Sequence, residues 1–167
     1  IRDFDQVCKA FQSFKPEFVF HLAAQPLVRH SYQDPVTTYE VNVMGTMSIL
    51  EAVKKSPSVK SAVMVTTDKC YKNNEWEWGY RENDPMGGHD PYSSSKACVE
   101  LLTQSYQQSF FNDHANSPGV STVRAGNVIG GGDFSEDRLI PDLYRAISTN
   151  NKLLLRNPLA TRPWQHV

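Results

Sequence analysis

The sequence predicts an α/β fold, a doubly wound and mostly parallel sheet, and three observations carry that expectation. Short apolar runs at residues 18–20 and 62–65, and the segment Val120 to Arg124, have strand length, not helix length. The segments between them repeat apolar residues at helical spacing. Asp-Pro pairs at Asp34-Pro35 and Asp90-Pro91 supply an N-cap followed by a first-turn proline, a strong helix start. Strands alternating with helices of 10–20 residues argue for parallel strands joined by helical crossovers.

In chain order, Asp3 caps a helix whose Phe4, Val7, Phe11 and Phe14 share a face, and Pro16 ends it. Phe18-Val19-Phe20, leading to His21, reads as a strand buried on both faces. From Asp34 a helix of five turns turns Val36, Tyr39, Val43, Met47, Leu50 and Val53 inward. Ala62 to Val65 is the second strand. Thr66 to Asp90 follows without any period, and a loop that long in a compact domain is usually functional. A helix over 91–112 turns Ala97, Leu101, Leu102 and Tyr106 inward. Val120 to Arg124 is the third strand, feeding a glycine-rich turn from Gly126 to Gly132. A helix over 137–149 and a short strand at Leu153-Leu154-Leu155 complete the series.

Composition narrows the function. At 167 residues the chain has the length of about one domain, at roughly 150 residues each. Hydrophobic residues make up 40% and charged residues 21%, which suits a packed core and not a low-complexity chain. The 17 Lys+Arg and 18 Asp+Glu leave a net charge of −1, with no basic run, so no nucleic-acid partner is expected. No stretch of about 18 apolar residues and no leader pattern at Ile1 is found, so no membrane partner is expected either. Cys8, Cys70 and Cys98 are too widely spaced for a disulfide framework or a metal knuckle, and a reducing cytoplasm is the natural setting. His21, His30, His89, His114 and His166 are scattered singly; no metal site is expected.

Ligands of parallel α/β sheets bind outside the carboxyl ends of the strands, which here are Leu22 to Gln25, Thr66 to Cys70 and Ala125 to Gly130. Thr66-Thr67-Asp68-Lys69 crowds hydroxyls, a carboxylate and an amine at one such end, although the same residues also cap ordinary turns. Tyr92 and Lys96 stand at i, i+4 in the first turns of a helix and share a face. A free tyrosine ionises near ~10, so working as a base near neutrality costs about 4 kcal/mol. A lysine ammonium and a helix amino terminus lower that cost by favouring the phenolate. Tyr-x-x-x-Lys also occurs by chance on many surface helices; its position after a strand, a polar loop and Asp-Pro gives it weight.

Together these residues resemble the extended short-chain dehydrogenase/reductase family, and within it the nucleotide-sugar 4,6-dehydratases. The resemblance runs through His21 to Gln25, Asn42-Val43-Met44-Gly45-Thr46, Thr66 to Lys69, Tyr92 to Lys96, Arg124 to Asn127 and Arg162 to Val167, and it covers essentially the whole chain. dTDP-glucose dehydratases generally carry Thr-Asp-Glu after the strand. Thr67-Asp68-Lys69 followed by Cys70-Tyr71 is instead similar to the branch acting on CDP-glucose, as are Gly130 to Asp133 and the terminal Arg-Pro-Trp-Gln-His-Val.

The resemblance implies a Rossmann-like fold, NAD as cofactor and a nucleotide-sugar substrate. It makes Tyr92 the base for the sugar 4-hydroxyl while hydride leaves C4 for NAD. It places Lys96 on the nicotinamide ribose, Thr67 on the 4-hydroxyl, and Asp68 as the acid that protonates the departing 6-hydroxyl before hydride returns to C6. Lys69 replaces the glutamate that removes the C5 proton in dTDP enzymes, so a neutral lysine, Asp68 or water is left to take it. Leu22, Ala23, Ala24 and Thr66 would also line the cofactor. Thr67, Asn127, Leu139, Ile140, Pro141 and Arg162 would line the substrate, Arg162 because a planar guanidinium meets diphosphate oxygens in pairs. Asn42 is expected as a helix-to-strand post. Trp76 and Trp78 are open between a substrate lid and a subunit contact.

A glycine-rich turn for the pyrophosphate and an acidic residue for the adenosine ribose are missing from the sequence. The fold is therefore expected to be incomplete at both ends. Residues 1–130 would form the central and C-terminal part of the dinucleotide-binding domain, and 131–167 the start of a substrate lobe. The full-length parent is expected to be a homodimer or higher homo-oligomer, because the helices from Asp34 and Pro91 resemble a pair that forms a four-helix interface in relatives. A 4-epimerase of the same family and a non-catalytic dinucleotide-fold fragment stay open as alternatives.

Overall fold

The structure, a computed structural model, describes residues 1–112 and 117–167, and His114 lies outside the described residues. It forms two compact units, Ile1–Arg124 and Ala125–Val167.

The first unit opens with α1 (Phe4–Phe14), started by the Asp3 carboxylate accepting from Gln6 N at 3.0 Å and stopped by Lys15 in the left-handed region at φ 45°. β1 (Phe18–His21), β2 (Ser61–Thr67) and β3 (Gly119–Ala125) make a sheet in the order β1-β2-β3. β1 runs parallel to β2, with Phe18 opposite Ser61 and His21 opposite Met64. α1, α4 (Gly45–Lys54) and α5 (Pro91–Tyr106) pack on the sheet face that carries Val19, Ala62, Met64 and Val120, around Leu50 and Val53. Burying side chains of this size stabilises by roughly 1.5–3 kcal/mol each.

The expectation that β1 is buried on both faces does not hold. Val19 packs on the core, but Phe18 and Phe20 are exposed, because successive strand residues point to opposite faces and the described residues leave the second face of β1 bare. A helix the sequence did not signal, α2 (Val28–Gln33), precedes the long one. The helix from Asp34 is in three parts: α3 (Pro35–Tyr39), a π-helical turn (Glu40–Met44) and α4. Asp34 caps it as expected, accepting from Thr37 N at 3.0 Å. Its first half presents another face than expected. Thr38, Asn42 and Thr46 are buried while Val36 is exposed, because polar side chains with fixed partners occupy the inner positions and the π turn inserts a residue into the register.

β2 extends through Thr66 and Thr67, followed by a 3-10 turn at Asp68–Cys70. The long loop is tied at its ends by Gly87 N donating to Cys70 O at 2.9 Å and by Lys72 N donating to Pro85 O at 2.8 Å. α5 continues as a π-helical turn over Gln107–Phe111. Leu101, expected inside, is exposed; Ser95, Lys96, Val99, Glu100 and Thr103 fill the inner face with Ala97.

In the second unit the glycine-rich stretch holds a strand, β4 (Asn127–Ile129), paired in parallel with β5 (Trp164–His166). A Cβ on Gly126 would lie 2.8 Å from Pro163 Cγ and 3.1 Å from Pro163 O, so the close approach of the segment entering β5 favours glycine there. α6 (Leu139–Ser148) is the expected helix, shortened at its start. Residues 153–155 are not a strand; Leu154 and Leu155 are exposed and have no partner strand, whereas Trp164 to His166 gains one in β4. Among the described residues no helix is long and apolar enough to cross a membrane, and no group of three or more His, Cys, Asp or Glu could hold a metal ion.

Candidate functional site

α5 begins as its sequence dictates. Asp90 accepts from Ser93 N at 2.9 Å and from Ser93 Oγ at 2.6 Å, and Pro91 occupies the first turn. Tyr92 N, one of the amides with no partner inside the helix, donates to Ser31 Oγ of α2 at 3.1 Å. Tyr92 is half-buried and Lys96 is buried one turn later.

Lys96 is what joins the helix to the strand end. Its Nζ donates to the carbonyl of Val65 at 3.0 Å, next to Thr66 and Thr67. Burial pushes its pKa down to about 8, and the charge of Glu100 acts in the opposite sense. The two motifs that the sequence separates by 25 positions therefore meet at the carboxyl end of β2. There Thr67 Oγ1 donates to Asp68 Oδ1 at 3.1 Å, and Lys69 Nζ donates to the same oxygen at 2.9 Å. Asp68 and Lys69 form a partly exposed ion pair.

Thr66 is placed differently from its neighbours. Its hydroxyl donates to Glu100 Oε1 and lies 3.2 Å from Val123 O, so the side chain faces α5 and β3. Leu22 and Ala23, just past β1, are exposed, and Ala24 is half-buried. Because His21 is opposite Met64, this segment leaves the sheet at the level of Val65. Asn42 holds it: its Oδ1 accepts from Gln25 N at 2.8 Å, and its Nδ2 donates to Gln25 O at 3.2 Å and to Ser95 Oγ at 2.8 Å. Asn42 is thus a post between the β1 end and α5. Small open residues after β1, with a buried lysine reaching the neighbouring strand end, fit the nicotinamide end of NAD.

Trp76 packs on Tyr80 with ring centroids 5.3 Å apart, and Tyr80 stacks on Tyr71 at 4.9 Å; Trp78 is exposed. In the second unit the strand pairing sets Asn127 opposite Trp164, two residues after the exposed Arg162. Leu139 and Ile140, both exposed, and the buried Pro141 open α6.

One group escaped the sequence reading. Glu100, buried, accepts from Thr66 Oγ1, from Thr122 Oγ1 at 2.8 Å and from Arg124 Nη2 at 3.0 Å. Its signal was spacing: it follows Lys96 by four residues, as Lys96 follows Tyr92.

Residues 1–167 match the family model described as GDP-mannose 4,6 dehydratase. The chain belongs to that family. It is 55% identical over 170 aligned residues to the CDP-glucose 4,6-dehydratase of Salmonella typhimurium, covering 100% of this chain and 47% of that protein. The dTDP-glucose 4,6-dehydratase of Streptomyces venezuelae, solved with NAD and TYD, superimposes with a TM-score of 0.86 at 24% identity over 99% of this chain and 48% of that one. The UDP-glucose 4-epimerase of Thermotoga maritima, solved with UDP-glucose, gives 0.86 at 21% identity over 99% and 52%. The fold is Rossmann-like, as expected. The chain spans about half the length of these relatives.

Proposed function

We propose that the protein carrying this chain is an NAD-dependent CDP-glucose 4,6-dehydratase, a hydro-lyase that makes CDP-4-keto-6-deoxyglucose. The observation that carries the proposal is the bond from Lys96 Nζ to the Val65 carbonyl, two residues before the Thr67-Asp68 pair at the end of the same strand. The identity to the Salmonella enzyme supports CDP-glucose as the nucleotide sugar.

Leu22, Ala23, Ala24 and Lys96 would hold NAD, which when bound supplies an acceptor for the C4 hydride and returns it at C6. Tyr92 takes the proton of the sugar 4-hydroxyl at its phenolic oxygen. The neighbouring Lys96 ammonium and the α5 amino terminus favour the phenolate form. Thr67 orients the same hydroxyl. Once C4 is a ketone the C5 proton is acidic; neutral Lys69, Asp68 or a water takes it, and the 6-hydroxyl leaves as water on receiving a proton from Asp68. The Lys69 ammonium stays in contact with Asp68 at the strand end. Asn127, Leu139, Ile140, Pro141 and Arg162 would hold the nucleotide diphosphate.

A 4-epimerase has the same fold, and the likeness to the Thermotoga structure favours it equally on that count. Asp68 separates the two, because an epimerase has no leaving hydroxyl to protonate. Incubating the protein as its gene encodes it with NAD and CDP-glucose is expected to give the 4-keto-6-deoxy product, and Tyr92→Phe is expected to abolish it. Absence of product in a protein that binds NAD rejects the proposal.

A further inference from the structure

α5 carries Tyr92, Lys96 and Glu100 at four-residue intervals, so the three side chains share one face. A buried carboxylate is neutralised or paired. Burial raises the pKa of Glu100, but hydrogen bonds from Arg124, Thr66 and Thr122 outweigh it and hold the carboxyl below the usual range, so it is charged. Arg124 is itself fixed. Its Nη1 donates to Tyr71 Oη at 2.7 Å and to Glu82 O at 3.0 Å, and its guanidinium stands 4.9 Å from the Tyr71 ring centroid.

Two features separate this arrangement from an ordinary core ion pair. Thr66, which donates to Glu100, directly precedes Thr67, while Glu100 stands one turn beyond Lys96. One carboxylate therefore ties together β2, β3 and α5 at the strand end where the candidate residues meet. Lys96 is coupled to His21 of β1 and to Glu100 of α5; Tyr92 precedes it by one turn of α5, Asp68, Lys69 and Cys70 lie in the 3-10 turn packed on α5, and Arg124 of β3 is held to Glu100. Glu100 is the one whose charge offsets the burial of Lys96.

We propose that Glu100 is a positioning residue: its carboxylate locks the Thr66–Thr67 strand end to the Tyr92–Lys96 face of α5 and supplies the counter-charge to the Lys96 ammonium, with Arg124 and Tyr71 fixing its orientation. The catalytic consequence rests on the dehydratase reading; the electrostatic one does not.

Glu100→Gln keeps the shape and the acceptor for Thr66 but removes the charge. Isotope-labelled lysine NMR, with the Lys96 signal assigned by its loss in Lys96→Arg, reads the titration directly in the protein as its gene encodes it. The wild-type midpoint is expected at about 8, and in Glu100→Gln it is expected lower by about one pH unit. The alkaline limb of CDP-glucose turnover moves down with it, kcat falls while KM stays as in wild type, and Glu100→Asp restores part of both. Glu100→Gln/Arg124→Met leaves no unpaired guanidinium in the core; because the Arg124 charge goes with it, a smaller displacement in the same direction is expected, Glu100 standing one turn from Lys96. An unmoved Lys96 midpoint in either folded variant overturns the proposal. A wild-type protein that fails to convert CDP-glucose while the midpoint still moves overturns the dehydratase reading and leaves the assignment of Glu100 standing.

Discussion

Lys96 Nζ donates to Val65 O at 3.0 Å, and this bond crosses from α5 to the last turn-free residues of β2. A strand carbonyl accepts from a neutral amine as well as from an ammonium, so the contact survives loss of the proton. Lys96 has a pKa near 8 in the folded chain against an ordinary 10.5. A depressed value contributes stability that is fully present above 10.5 and lost as pH falls through about 8. Between those limits wild type is expected to gain stability on the order of 3 kcal/mol relative to Lys96→Met. Urea unfolding of both proteins across that window checks it; parallel curves contradict it.

His21 gives the same argument on the acid side. Thr46 Oγ1 donates to Asn42 O at 2.6 Å, so in its 3.0 Å contact with His21 Nε2 it is the acceptor and the imidazole carries its proton on Nε2. Burial, with Lys96 nearby, pushes the ring down to about 4 from 6.5. The stability this confers is present above 6.5 and lost as pH falls through about 4. It amounts to about 3 kcal/mol. A His21→Asn protein is expected to lack that slope, and proton NMR is expected to show a neutral His21 ring at pH 5. A ring that titrates near 6.5 contradicts the prediction.

Much of this was legible in local chemistry. Asp3, Asp34 and Asp90 each cap the helix they precede, and Tyr92 and Lys96 stand on one face. Periodicity failed where burial is polar. Thr38, Asn42 and Thr46 lie inside because each has a fixed partner, and no apolar pattern announces a hydrogen bond to a residue far along the chain. Leu101 is exposed for the converse reason: its inner neighbours Lys96 and Glu100 are charged. A glutamate on a helix reads as solvated until Thr66, Thr122 and Arg124 are known to surround it. The three-residue strands β4 and β5 have too few residues for any period, and only their pairing defines them.

Gly88 bears on the start of α5. A Cβ there would lie 2.2 Å from Ser93 C and 2.4 Å from Ser94 N, both backbone atoms of the first turn. Gly88→Ala must lift the loop or tilt the helix that carries Tyr92. A displacement of about 1 Å at a reacting group can lower turnover by about a hundredfold. The expected result is that loss together with a lower melting temperature, since the overlap is with backbone atoms of the helix. Wild-type turnover shows that the contact is relieved without moving Tyr92.

Asp68 is where the two halves of the proposed reaction separate. Its Oδ1 accepts from both Thr67 Oγ1 and Lys69 Nζ, so Asp68→Asn keeps an acceptor for the hydroxyl and loses the charge partner of the lysine. Proton removal at the 4-hydroxyl belongs to Tyr92 and needs no acid at position 68. Departure of the 6-hydroxyl does, and losing a general acid costs roughly 10²–10⁴-fold. Asp68→Asn is therefore expected to retain oxidation at C4 while the 4-keto-6-deoxy product forms at least a hundredfold more slowly. Following CDP-glucose by NMR distinguishes the two steps, because the 4-keto sugar with its 6-hydroxyl intact has its own spectrum. If the variant makes the deoxy product at the wild-type rate, Asp68 is not the acid. If the wild type inverts C4 without losing water, the site is an epimerase, and Asp68 only holds Lys69 at the strand end.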